Sequence, residues 1–134
     1  MVSFVGESSA IVDANGRVSL PSMFRDVLPE NEKKFYLTIG KNNTLILFRE
    51  SDYNENERPK ILAMPAELRI SAARNAQFVV LDEKQNRFLL PKRFKEHAGI
   101  GKDVIFVGVI DKIIIYAAPE TLEKRSSGRF EYDV

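Results

Sequence analysis

Arg17 and Arg87 are the residues of this chain whose type and setting best suit chemistry with a partner. Each follows an acid and a tight polar turn, and each opens an apolar run closed by proline: Asp13-Ala-Asn15-Gly16-Arg17-Val-Ser-Leu-Pro21, and Glu83-Lys-Gln-Asn86-Arg87-Phe-Leu-Leu-Pro91. A guanidinium presents a planar fork of donors that fits phosphate oxygens and the O6 and N7 of guanine. A narrow turn can carry that fork into a groove. The plainer alternative is that Asp13 and Glu83 only shape the turns and pair with Arg17 and Arg87 across them, an exposed contact worth about 0–1 kcal/mol. Retention of the arginine in two copies within one chain favours contact with nucleic acid.

Each proline is followed by a short basic amphipathic stretch. Arg25 is the cation of the first, while Lys92, Arg93 and Lys95 crowd the second. They suit phosphate, which positions a protein on a duplex without reading its sequence; the alternative is a solvated helix face. Six phenylalanines, Phe4, Phe35, Phe78, Phe88, Phe94 and Phe106, could stack on bases, but they fall on apolar phases of strands and helices and read better as core.

Other chemistries find little support. The chain has no cysteine and one histidine, His97, so it carries no thiolate nucleophile, no Cys-based metal site and no multi-histidine site or His-based triad of its own. His97 reads as a helix-face residue. Ser8-Ser9 and Ser126-Ser127 have no nucleophile-elbow context, and no glycine-rich phosphate loop occurs. The expectation is a protein that is not an enzyme and that has no cofactor and no metal.

The elements that must position the two arginines repeat with them. The segments 8–12 and 17–20 flank the first turn as β arms, with Asn15-Gly16 at its tip, since both residues tolerate positive φ. In the second copy the arms are 77–81 and 87–90, and Gln85-Asn86 takes the place of Asn15-Gly16. Proline at a first helical position opens short helices over 22–28 and 92–98, the latter capped by Gly99. Strand pairs follow at 35–39 with 44–48 and at 104–109 with 112–117, joined by 40–43 and by Ile110-Asp111. Short helices over 51–54 and 119–125 close the halves. Between them 54–60 reads as polar loop and 65–76 as a bridging helix.

At 134 residues, 44% hydrophobic and 29% charged, the chain has a globular composition, and halves of about 70 residues sit near the limit of independent stability. They should share one core. The divisions are 1–54 and 76–125 for the half-repeats, 55–75 for the linker and 126–134 for a tail of little periodicity. A net charge of +1 excludes a wholly basic surface, so any contact with phosphate is made through one face. An acidic cluster, Glu50, Asp52, Glu55 and Glu57, lies between the halves. The apolar runs are too short to span a bilayer and no secretory leader is evident, so the expected location is the cytoplasm.

The phrases Asp13-x-x-Gly16-Arg17, Leu20-Pro21-x-x-Phe24-Arg25 and Arg87-Phe-Leu-Leu-Pro91-Lys-Arg-Phe94, with the segment Gly108-Val-Ile-Asp-Lys-Ile-Ile-Ile-Tyr116, resemble the MraZ proteins of the AbrB-like class. The resemblance covers nearly the whole chain. It implies a mainly β fold with short α-helices, in which two pseudo-repeated swapped-hairpin halves form a double-split β-barrel. It also implies a nucleoid-associated transcriptional regulator, a ring homo-oligomer that binds double-stranded DNA at repeated boxes upstream of division and cell-wall genes. The family's functional arginines fall on Arg17 and Arg87, and its turn acids on Asp13 and, inexactly, Glu83. Asn86 stands where the family pattern has glycine. The alternative within the same class is an antitoxin or protein-interaction module.

Overall fold

Strands of the two halves interleave in one shared sheet. A computed structural model describes residues 2–119. The first half contributes β1 (Phe4–Ile11), β2 (Arg17–Ser19), β3 (Lys34–Gly40) and β4 (Thr44–Arg49); the second contributes β5 (Ala76–Val80), β6 (Arg87–Leu89), β7 (Asp103–Ile110) and β8 (Ile113–Ala117). Six of them form an antiparallel sheet in the order β1-β7-β8-β4-β3-β5, and β2 pairs with β6 in a separate ribbon. The order reads the same from either end when each strand is exchanged for its counterpart. The first strand of each half thus lies against the third strand of the other, β1 on β7 and β5 on β3. The expected swap is present; backbone pairing that would close the sheet into a barrel is not found among the described residues.

This pairing corrects the simple hairpin expected around Asn15-Gly16. The turn itself closes, with Asp13 N–H donating to Arg17 O at 2.8 Å. Its arms then part, β1 to β7 and β2 to β6. Strand β2 is only three residues long, and Pro21 and Pro91 end both short arms, so little local pairing opposes the exchange. Pairing across the halves places Val18 directly opposite Phe88, both buried.

Alternation builds the core. Phe35 and Leu37 of β3, Leu45 and Leu47 of β4, Val104 and Phe106 of β7, and Ile113 and Ile115 of β8 face inward and are fully buried. Phe24 and Phe94 enter from helices α1 (Ser22–Arg25) and α5 (Lys92–Ala98). Pro21 and Pro91 stand just before those helices, at N-cap φ of −56° and −58°. Helix α5 has the expected extent. It ends with Gly99 at φ 65°, where Ile100 N–H donates to Lys95 O at 2.9 Å and Gly99 N–H to Glu96 O at 3.2 Å. Helix α1 is one turn, shorter than the 22–28 expected; Pro29 disfavours helical geometry at Leu28 before it, so a second turn has no room to form.

The largest departure is at 54–60, expected as loop. The chain is helical from α2 (Glu50–Asp52) through a π turn (Tyr53–Glu57) into α3 (Arg58–Leu62), and α4 (Ala66–Arg74) follows as expected. Polar composition there marks a solvent-facing side rather than a break. Pro59 lacks an N–H and its ring crowds the carbonyl four residues back; the wider π turn, with Arg58 N–H bonded to Tyr53 O, accommodates it. Tyr53 anchors this helix on the outer face of the sheet, stacked on Tyr36 with ring centroids 4.3 Å apart. The segments expected at 119–125 and 126–134 lie, all but residue 119, outside the described residues.

Candidate nucleic-acid interface

The β2–β6 ribbon brings the two arginines to one surface. Register pairs Arg17 with Leu89, Val18 with Phe88 and Ser19 with Arg87. Val18 and Phe88 point into the core, so by alternation Arg17, Ser19, Arg87 and Leu89 share the outer face, with the arginines on a diagonal. The turns that precede β2 and β6 flank this face. Leu20 N–H donates to Asn86 O and Leu90 N–H to Gly16 O, so each turn is tied to the strand of the other half.

In the first turn Asp13 Oδ1 accepts from the N–H groups of Asn15 and Arg17, both at 2.9 Å, and Gly16 takes φ 81°. The Arg17 N–H above all, then that of Asn15, holds the Asp13 carboxyl below its usual range. Asp13, Asn15 and Gly16 all lie in this turn. In the second turn the carboxylate with this role is Asp82. Its Oδ1 accepts from Gln85 N–H at 2.8 Å and its Oδ2 from Arg87 Nε at 3.0 Å; the Gln85 bond first and the Arg87 contacts next hold its carboxyl at about 2.

That geometry corrects the assignment of Glu83 as the turn acid. Measured from Asp82 to Arg87 the second loop is one residue longer than the first, from Asp13 to Arg17. Aligning the copies on the arginine hides this; aligning on the aspartate, with one residue inserted, shows it. Asn86 sits at φ 52°, the positive-φ place that glycine fills in the first turn.

The arginines differ in their surroundings. The Arg17 side chain is exposed and makes no hydrogen bond or ion pair with the described residues; it lines a shallow groove of about 330 Å3 with Phe78, Val80 and Leu89. Arg87 is 34% exposed and meets two carboxylates, Asp82 of its own loop and Asp13 of the other at 3.5 Å. Ion pairs of Asp13 with Arg17 and of Glu83 with Arg87 do not occur among the described residues; Arg87 pairs instead with Asp82 of its own turn and Asp13 of the other.

The basic residues after each proline separate as well. Lys95 brings its Nζ within 3.6 Å of where a side chain on Gly16 would begin, so a cation of the second half stands beside the first turn. Arg25 lies by the second turn, in a cavity it shares with Asn86. Lys92 is 89% exposed, with Glu96 at 4.0 Å. Arg93 is engaged elsewhere: it donates to Arg74 O and to Asn75 Oδ1 at the end of α4, and lies over the Phe94 ring. His97 is a tether, its Nε2 2.9 Å from Gly40 O at the end of β3.

Of the six phenylalanines considered for stacking, five are buried in the core; Phe78 is 40% exposed on the edge strand β5, 5.2 Å from the Tyr36 ring. Among the described residues no group of three or more metal-ligating side chains occurs, and no helix is long and apolar enough to cross a membrane.

The family model described as "MraZ protein, putative antitoxin-like" matches residues 3–70 and 72–122. The chain belongs to the MraZ family. Three proteins named Transcriptional regulator MraZ are similar to it across most of their length. That of Lachnoclostridium phytofermentans is 35% identical over 85% of this chain and 81% of its own. That of Carboxydothermus hydrogenoformans is 36% identical over 85% and 80%. That of Caldicellulosiruptor bescii is 32% identical over 96% and 91%. The two stretches that match the family model meet within α4, between the two copies of the doubled phrase.

Proposed function

We propose that this chain is a DNA-binding transcriptional regulator that meets duplex DNA with the outer face of the β2–β6 ribbon. The placement of Arg17 and Arg87 on that one face carries the reading, and the names of the relatives accord with it. Arg17, whose guanidinium makes no hydrogen bond or ion pair among the described residues, is the principal base or phosphate contact. Arg87 presents whatever donors Asp82 and Asp13 leave, and fixes the loops relative to each other. Lys95 and Arg25 supply phosphate contacts beside the two turns, with Lys92 at the margin; Arg93 is held against the end of α4 and serves the fold rather than the contact.

The ribbon exposes a small face, so one subunit has modest affinity. Assembly into a ring homo-oligomer would raise it by linking several such faces and would reward regularly repeated boxes, here those upstream of division and cell-wall genes. Such a regulator works in the cytoplasm on the nucleoid, and its action is binding rather than catalysis.

The test is titration of that upstream duplex with the chain and with the Arg17→Ala, Arg87→Ala double variant, across a salt series, alongside solution mass. Loss of specific binding with unchanged mass and fold supports the assignment. Undiminished binding by the folded double variant overturns it.

A further inference from the structure

We infer that the cavity beside the second loop is a seat for one phosphate of the duplex backbone, with Arg25 and Lys33 as its cations. This deepens the DNA-binding reading and rests on it. The cavity, about 190 Å3, is bounded by Arg25, Leu28, Lys33, Leu81 and Asn86 together with 29–32. That volume has room for a tetrahedral oxyanion.

Two observations point to an anion. Arg25 Nε is buried and has no hydrogen-bond partner among the described residues, so no acceptor of the chain holds the guanidinium there, and its terminal N–H groups are the donors a ligand in the cavity would meet. Lys33 also lines the cavity; its ammonium donates to Asn86 Oδ1, which leaves two of its donors for a ligand. Carboxylates are present but do not cancel these cations. Both oxygens of Glu32 are held by Arg49, at 2.6 and 2.7 Å, and Glu30 is exposed.

The repeat gives a separate argument. Arg25 and Lys95 occupy matching positions after Phe24 and Phe94 in the doubled phrase, and each ends beside the loop of the other half, Lys95 at Gly16 and Arg25 at Asn86. The swapped topology thus backs each loop with a cation from the opposite repeat. Lys33 has no part in the doubled phrase and is a member of the site that only the fold shows.

The experiment measures duplex binding against salt concentration for the full chain, Lys33→Gln, Arg25→Gln and the charge-preserving Lys33→Arg. One lost phosphate contact lowers the slope of log affinity against log salt by about one unit and weakens specific and non-specific duplexes by the same factor. That result is expected for both Gln variants, with recovery in Lys33→Arg. Unchanged slopes in both folded Gln variants overturn the proposal. If the wild-type chain binds no duplex, it is the DNA-binding reading that has failed. Titration with inorganic phosphate then decides on the cavity: a saturable shift of the Arg25 Nε resonance, absent in Lys33→Gln, keeps it as an oxyanion site for a free ion, and an unshifted resonance removes it.

Discussion

Arg87 joins the two loops: its Nη1 stands 3.5 Å from Asp13 Oδ2 in the first, and its Nε donates to Asp82 Oδ2 in its own at 3.0 Å. Both carboxylates also accept backbone N–H groups of their turns, so the guanidinium connects two structures that are already organised. The shape of the exposed face therefore depends on the ionised state of Asp13 and Asp82.

Acid should loosen this arrangement. The Asp82 carboxyl is held at about 2 against an ordinary value of 3.8, principally by the Gln85 N–H and then by Arg87, and Asp13 is displaced the same way. A depressed folded-state pKa adds stability that is complete above the unfolded value and disappears as pH falls through the folded one. Denaturant midpoints of wild type should fall as pH drops from about 4 to 2, and Asp82→Asn should show a shallower fall from a lower starting point. Parallel curves for the two proteins would refute the role of Asp82.

The β1–β7 pairing should be intolerant of one added methyl group. Gly6 pairs directly with Gly108, and a Cβ on Gly108 would lie 2.5 Å from the carbonyl carbon of Phe4 and 2.6 Å from Val5 N. The obstacle is backbone, which cannot swing aside as a side chain can. Gly108→Ala should cost about 2 kcal/mol or more in denaturant unfolding, whereas Gly101→Ala, which meets nothing within 4 Å, should stay within about 0.5 kcal/mol of wild type. Equal stabilities would show that the strands can separate at little cost.

Local signals were legible in the sequence because their causes are local. Proline fixes a helix start at Pro21 and Pro91, Gly99 caps α5, and Asn42, Asn43 and Asn86 take the positive φ that their turns need. Strand partners were not legible from alternation alone. The arms around Asn15-Gly16 have one apolar pattern whether they pair with each other or with the other half, and only the shared core decides. Composition misled at 54–60, where exposed polar residues lie on a helix pinned by Tyr53. At the candidate site, the arginines were visible through repetition. Asp82 was obscured by a one-residue insertion, and the tether of Arg93 to α4 depends on a neighbour 19 positions away.

The reversal between β7 and β8 carries backbone strain that a substitution should relieve. Ile110 has φ 77°, and Asp111 N–H donates to Val109 O at 3.0 Å, a three-residue turn that a β-branched side chain disfavours. The side chain is 59% exposed and contributes little burial. Ile110→Gly should raise stability by about 1 kcal/mol in denaturant unfolding. A loss of stability would mean that the isoleucine makes a contact worth more than the strain.

Two neighbouring cations of α5 should separate stability from binding. Arg93 closes the end of α4 through Arg74 O and Asn75 Oδ1, so Arg93→Ala should cost about 1 kcal/mol and lower the melting temperature by about 3–5 °C. Lys95 has no carboxylate partner among the described residues and stands beside Gly16 in the first turn. Lys95→Ala should leave melting unchanged and weaken duplex binding by the same factor on specific and non-specific DNA, because a point charge on phosphate carries no sequence information. Thermal melting with duplex titration on both variants reads the distinction. If Arg93→Ala proved the variant defective in binding at unchanged melting temperature, its guanidinium would have to leave α4 for the duplex, and the interface would extend along α5 away from the ribbon.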